Sequence, residues 1–182
     1  QVSCPVIVDE AYYEFYGHSA VNLLAKYTNL IIVRTFSKAY GLAAARIGYM
    51  LADEKIVAAV AKALLPYHLN SLSLVTAETV YRYKQEFQPY IQQTIAERER
   101  VAAFLRGISG ITVYPSQTNF ILLQAVEARK LIAKLAAKSI GIRDFHTSPE
   151  IAGCFRISIG TPAENDALLQ AVLDYQSENV DQ

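Results

Sequence analysis

Lys38 follows a short apolar run, Leu30 to Val33, with hydroxyls one and three residues before it (Ser37, Thr35) and a guanidinium eight residues after it (Arg46). Its flanks are small or apolar, so the amine is expected to be at least partly enclosed. Enclosure disfavours an ammonium ion, and an enclosed amine can attack a carbonyl or carry a proton near neutral pH. Thr35 and Ser37 can donate hydrogen bonds to an anion, and Arg46 can bind one through its planar fork. Taken alone, a lysine in a loop is ordinarily a solvated charge. Upstream, Asp9 ends the apolar run Val6 to Val8, where a carboxylate is costly unless a cation pairs with it; by itself it also fits a loop or helix-cap role. Arg156 lies inside the apolar stretch Cys154-Phe-Arg-Ile-Ser-Ile159 and needs an anionic partner, either a bound ligand or a structural ion pair.

The elements that must hold these side chains alternate in an α/β manner. Short apolar runs at Val6 to Val8, Leu30 to Val33 and Ile47 to Leu51 read as buried, parallel strands. A helix is expected from Asp53, its cap, to about Leu65, with Ile56, Val57, Val60 and Leu64 on one face and Pro66 ending it. Ser71 to Tyr83 and Phe87 to Arg106 read as long helix. Within the latter, Glu97-Arg98-Glu99-Arg100 reads as a solvated face. From Gly107 the layout becomes α+β, with strands at Ile111 to Tyr114, Phe120 to Leu123, Ile142 to Phe145 and Phe155 to Ile159. Helices are expected at Ala128 to Lys138 and from Pro162 to about Tyr175, the last opened by the capping box Thr161-Pro-Ala-Glu164. A boundary is expected near residue 85, giving domains 1–85 and 86–182.

The segment Arg34-Thr-Phe-Ser-Lys-Ala-Tyr-Gly-Leu-Ala-Ala-Ala-Arg-Ile-Gly-Tyr49 strongly resembles the cofactor-lysine motif of fold-type I pyridoxal-phosphate (PLP) aminotransferases, in the version of the histidinol-phosphate aminotransferase family. Ala44 departs from it, where many relatives have glycine. The resemblance implies that Lys38 binds the cofactor covalently and moves the substrate proton, and that Thr35, Ser37 and Arg46 hold the cofactor phosphate. Val6-Ile-Val-Asp-Glu-Ala-Tyr12 resembles the family's strand ending in Asp-Glu-Ala-Tyr. Asp9 then faces the protonated ring nitrogen, keeping the ring an electron sink, and Tyr12 bonds its phenolic oxygen. Cys154 to Thr161 resembles the strand whose arginine, here Arg156, binds the substrate's alpha-carboxylate or the equivalent end of an amino substrate. Gly141 to Phe145 resembles a neighbouring strand, one residue short; Arg143 is either a second anion contact, to a substrate phosphate, or an ordinary surface arginine. In Pro115 to Phe120, Asn119 shapes the small domain, and Pro66 to Ser71 matches a family turn.

The implied fold is α/β, a partial PLP-transferase large domain with a mainly parallel sheet plus a small α+β carboxy-terminal domain. The implied reaction is amino transfer between histidinol phosphate and 2-oxoglutarate by a homodimer. A threonine-phosphate decarboxylase, an aromatic aminotransferase and an inactive fragment are the alternatives. The resemblance covers the second half of the family's length, and a start at Gln1 close to an apolar run fits a fragment. Other donors to the phosphate, the aromatic stacked on the ring, the asparagine that assists Asp9's side of the site and the tyrosine that reaches across from a neighbouring subunit are expected outside this sequence.

Composition narrows the classes. Seventeen basic and seventeen acidic residues leave no net charge and no basic stripe for nucleic acid. The apolar runs are far shorter than a membrane span, and the first residues lack the basic start and apolar core of a secretory signal. Cys4 and Cys154 read as buried small hydrophobes in a reducing compartment, and His18, His68 and His146 show no metal-ligand spacing. A cytoplasmic protein without a metal is the expectation.

Overall fold

Val6–Asp9 (β1) and Leu30–Thr35 (β2) pair in parallel, in register Val6 with Leu30 through Asp9 with Val33. These coordinates are a computed structural model describing residues 2–180, in which the chain divides into two compact units, residues 1–91 and 92–182. Tyr13–Tyr16 (α1), a single turn closed by Gly17 in the left-handed conformation, follows β1. Gly48–Ala52 (β3) completes a three-stranded sheet of order β1-β2-β3.

β3 runs antiparallel to β2, from Ile31 opposite Ala52 to Thr35 opposite Gly48. This corrects the expectation that Ile47 to Leu51 is a parallel strand of a mainly parallel sheet. A parallel return needs a crossover of a dozen residues or more, usually helical. Between β2 and β3 there is only a loop with a 3-10 turn at Ala43–Ala45, which suits a direct return. Burial also departs from expectation: Ile7 is 64% exposed, and Val6 and Asp9 are exposed with it. β1 is an edge strand with one neighbour; Val6 and Val8 line a groove with Ala20, Leu23, Tyr27 and Leu30, while Ile7 stays open. The apolar face of Glu54–Ala63 (α2) is likewise open at Val57 and Val60. α2 begins as expected, with Asp53 accepting from the Lys55 amide at 2.9 Å. Ser71–Arg82 (α3) is capped in the same way by Asn70. The buried part of this unit includes Ile32 in β2 and a cluster of Phe36, Ile47 and Ala77, on which Tyr40, Leu42 and Tyr49 pack.

The unit boundary falls within Gln88–Arg106 (α4). The second unit holds an antiparallel sheet of order β4-β5-β7-β6, formed by Ile111–Val113 (β4), Phe120–Ala125 (β5), Arg143–Asp144 (β6) and Cys154–Ser158 (β7). Its core joins Val101 and Leu105 of α4, Ile121 and Leu123 of β5, Phe155 and Ile157 of β7, and the inner faces of Ala128–Ala137 (α5) and Pro162–Val180 (α6). Each large side chain so buried contributes roughly 1.5–3 kcal/mol. α6 starts with the expected capping box, Glu164 accepting from the Thr161 amide at 2.7 Å.

Two expectations fail here. Arg98, assigned to a solvated face, is only 3% exposed: it donates to the Thr118 carbonyl at 3.0 Å and pairs with Glu99. Cys154 is buried, but Cys4 is exposed, and both thiols are free. No helix among the described residues is long and apolar enough to cross a membrane.

Candidate functional site

Because β1 and β2 are parallel, their carboxy-terminal ends lie at one edge of the sheet and release Asp9 and Thr35 there. Asp9 uses Oδ1 to accept from the Ala11 amide at 2.9 Å, which turns the chain into α1 and brings Tyr12 to the same edge. The Lys38 Nζ lies 5.6 Å from the centroid of the Tyr12 ring. Lys38 and Asp9 are exposed, Tyr12 half-buried. The enclosure expected for Lys38 is therefore not supplied by the described residues; its small, apolar neighbours pack beneath the loop and leave the amine accessible.

The loop itself is firmly built. Thr35 Oγ1 accepts from the Ser37 amide at 3.0 Å, Leu42 donates to the Phe36 carbonyl at 2.9 Å, and Gly41 takes a positive φ to close the turn on Lys38. Arg46 stands at the far side with φ 52° and ψ 45°, a left-handed conformation unfavourable for a residue with a β-carbon. Its guanidinium donates to the Ala43 carbonyl at 3.0 Å. The Ser73 hydroxyl, buried at the start of α3, fixes the preceding residue by donating to the Ala45 carbonyl at 2.7 Å, and Asn70 donates to Ser73 in turn. Strain held by neighbouring contacts is characteristic of functional positions. Thr35, Ser37, Lys38 and Arg46 thus share one loop and the strand ends that bound it.

Sequence reasoning missed the buried charge beside this edge. Glu10, next to Asp9, is 7% exposed and accepts from Arg34 Nε at 2.9 Å and Nη2 at 2.8 Å, from the Ala20 amide at 2.7 Å and from the Ser19 hydroxyl. Burial pushes its carboxyl upward, but the Ala20 amide, Arg34 and Ser19 together hold it below the ordinary range. The Arg34 guanidinium also lies 3.8 Å from the centroid of Tyr13. Burial raises the Glu14 carboxyl, and burial followed by the Glu14 charge pushes the Tyr40 phenol up to about 12. An acid and a base at the ends of adjacent strands, Glu10 and Arg34, were the available signal.

Arg156 and Arg143 lie in the second unit. Arg156 is half-buried, its guanidinium 4.8 Å from the Phe120 ring centroid, and its Nε is buried without a hydrogen-bond partner. A buried donor in that state costs about 1–3 kcal/mol unless something accepts from it. The structural ion pair considered for Arg156 is absent among the described residues. Arg143 is exposed, near the Phe145 ring. Asn119, as expected, is architectural: its carbonyl accepts from the Ile159 amide at 2.9 Å.

Residues 1–172 match the family model for aminotransferase class I and II. The histidinol-phosphate aminotransferase of Ruminiclostridium cellulolyticum is 45% identical over 164 residues, 90% of this chain and 46% of that protein. Among solved structures, the histidinol-phosphate aminotransferase of Sinorhizobium meliloti, in complex with pyridoxal-5'-phosphate, superposes with TM-score 0.81 at 28% identity, over 96% of this chain and 49% of that one. The L-threonine-O-3-phosphate decarboxylase of Porphyromonas gingivalis gives 0.82 at 25%, over 94% and 55%. The chain spans about half the length of the relatives it matches. With the family match running from the first strand into the last helix, and the lysine loop within it, the chain belongs to the class I and II aminotransferases.

Proposed function

We propose that the whole protein is a PLP-dependent aminotransferase that moves an amino group between histidinol phosphate and 2-oxoglutarate, with Lys38 as the amine that holds the cofactor. The observation that carries this reading is the approach of the Lys38 amine to the Tyr12 ring, 5.6 Å from its centroid, at the sheet edge where β1 ends in Asp9 and β2 in Thr35. The donor set fits PLP. There is an accessible amine for its aldehyde and a carboxylate for its ring nitrogen, Asp9 Oδ2 having no hydrogen bond among the described residues. Two hydroxyls and a guanidinium are there for its phosphate.

When bound, PLP supplies an aldehyde and an electron-withdrawing ring that stabilises negative charge at the substrate's alpha carbon. Lys38 Nζ would hold the cofactor's aldehyde and would carry the substrate's alpha proton. Asp9 would pair with the ring nitrogen, and Tyr12 would hydrogen-bond the phenolic oxygen. Thr35, Ser37 and Arg46 bind the phosphate and fix the orientation on which proton transfer depends. Arg156 binds the substrate's carboxylate, or the equivalent end of histidinol phosphate, and Arg143 its phosphate. In this reading residues 1–85 belong to a large cofactor domain and 86–182 form the small domain. The partners are a small-molecule amino donor and a 2-oxo acid, and the whole protein is a cytoplasmic homodimer.

The test is direct. The whole protein, with PLP, should transfer the amino group of histidinol phosphate to 2-oxoglutarate, and borohydride should fix the cofactor on Lys38, seen as added peptide mass. Lys38→Ala should lose both the visible absorbance of lysine-bound cofactor and the adduct. An adduct elsewhere would refute the assignment of Lys38. Similarity to the threonine-phosphate decarboxylase favours a second reading with the same anchors; carbon dioxide release without glutamate formation would select it.

A further inference from the structure

One carboxylate and one guanidinium, Glu10 and Arg34, lie beside the cofactor edge without belonging to the donor set assigned above. Glu10 links three separate pieces of chain: the end of β1, which carries it, the end of β2 through Arg34, and the Ser19–Ala20 turn. Its own amide donates to the Val33 carbonyl at 2.9 Å, so backbone and side chain both join β1 to β2 at the level of Asp9. Arg34, held by Glu10, lies against the Tyr13 ring and stands opposite Tyr49 across the β2–β3 ladder. The ring of Tyr40 packs on Phe36, 5.6 Å between centroids, and Phe36 in turn packs on Tyr49.

Between Asp9 and Tyr12, Glu10 therefore reaches the Lys38 segment from the β2 side, at Arg34, and through Tyr49 and Phe36 to Tyr40. We infer that Glu10 is a positioning residue that holds the Asp9–Tyr12 turn against the Lys38 loop, so that ring-nitrogen partner, phenol partner and amine stay in one register. The inference rests on the assignment of Lys38, Asp9 and Tyr12 to PLP. Its physical ground is charge. A buried carboxylate accepting from a guanidinium and a backbone amide is costly to break and well defined in geometry, whereas an exposed Asp9 and an exposed Lys38 have few contacts of their own to fix them. Replacing a carboxylate by an amide keeps the shape but faces an N–H toward one of the donors, Arg34, Ala20 or Ser19, and loosens the joint.

The experiment uses the 182-residue chain with Glu10→Gln and, separately, Ser19→Ala, which removes one donor to Glu10, in case the first does not fold. Amide hydrogen exchange without ligand should rise over residues 9–16 and 36–42 and remain unchanged in the second unit. PLP affinity, read from the visible absorbance, should fall by roughly tenfold, the effect of losing one charge-assisted hydrogen bond. The circular dichroism of the bound cofactor, which reports its tilt, should change too. Unchanged exchange in those two segments would overturn the inference, as would unchanged affinity and dichroism. So would an affinity loss matched by uniformly faster exchange across the first unit, the signature of general instability. If the unsubstituted chain takes up no PLP, the cofactor reading fails for this chain alone. The exchange pattern then still decides whether the Glu10 carboxylate holds the turn.

Discussion

Arg143 and Arg156 stand directly opposite each other across the β6–β7 ladder. Like charges so placed destabilise a sheet, and neither has a carboxylate partner among the described residues, which leaves the pair suited to share an anion. Inorganic phosphate should therefore raise the melting temperature of the chain more than chloride at equal ionic strength. Arg143→Gln should raise stability in phosphate-free buffer by a few tenths of a kcal/mol, roughly the scale of a cross-strand pair, while removing most of the phosphate effect. Calorimetry in the two buffers reads both.

Arg46 invites a substitution whose effects on stability and binding run in opposite directions. Its left-handed backbone suits glycine. Arg46→Gly should leave stability unchanged or raise it by about 1 kcal/mol through relief of strain, while weakening PLP binding by tenfold or more because a phosphate contact is lost. Denaturant melts and an absorbance titration separate the two effects.

The Glu10 carboxyl sets an acid limit. Burial works against its ionisation, but the Ala20 amide, Arg34 and Ser19 outweigh it and hold its folded value below the ordinary 4.5. The stabilisation is thus complete above that value and is lost as pH falls through the lower folded one. Thermal midpoints followed downward from neutral pH should drop more steeply for the native chain than for Glu10→Gln. Parallel curves would show that the carboxylate is not what fails.

At the alkaline end Tyr40 sets the limit. Burial first, and the Glu14 charge second, lift its phenol from the usual 10.0 to about 12. The folded chain keeps a proton that the unfolded chain has released, so stability declines as pH rises between those values. Tyr40→Phe should flatten this decline, and spectrophotometric titration should show one tyrosine fewer ionising late.

Most elements were legible in the sequence because their signals are local: valine and isoleucine runs for β1 and β2, Asp53 and Thr161 as caps, Pro66 as a stop. What the sequence did not disclose depends on neighbours. Val6-Ile-Val8 has the same composition whether its faces are covered or open, and strand direction is not written in composition, so β3 was placed parallel. Arg98 looked solvated within an alternating charge run, yet the Thr118 carbonyl draws it inward. At the site, the motif pointed to Lys38, Asp9 and Arg46. Glu10 was overshadowed by the aspartate beside it, since only the fold reveals that Arg34 and the Ala20 amide converge on one carboxylate.

The hairpin formed by β2 and β3 carries a consequence for how the chain acquires its shape. Thr35 lies opposite Gly48, and a β-carbon at Gly48 would come within 2.6 Å of the Arg34 carbonyl oxygen, so the two strands meet closely there. Every phosphate ligand proposed in this unit lies on that hairpin or its loop, joined by contacts local in sequence. Closing so short a loop costs little entropy, whereas bringing Val6 beside Leu30 requires a longer one. When the full chain refolds, the anion cradle thus needs a shorter loop closed than the ring-nitrogen partner does, and a chain with only this hairpin formed already holds its proposed phosphate donors together.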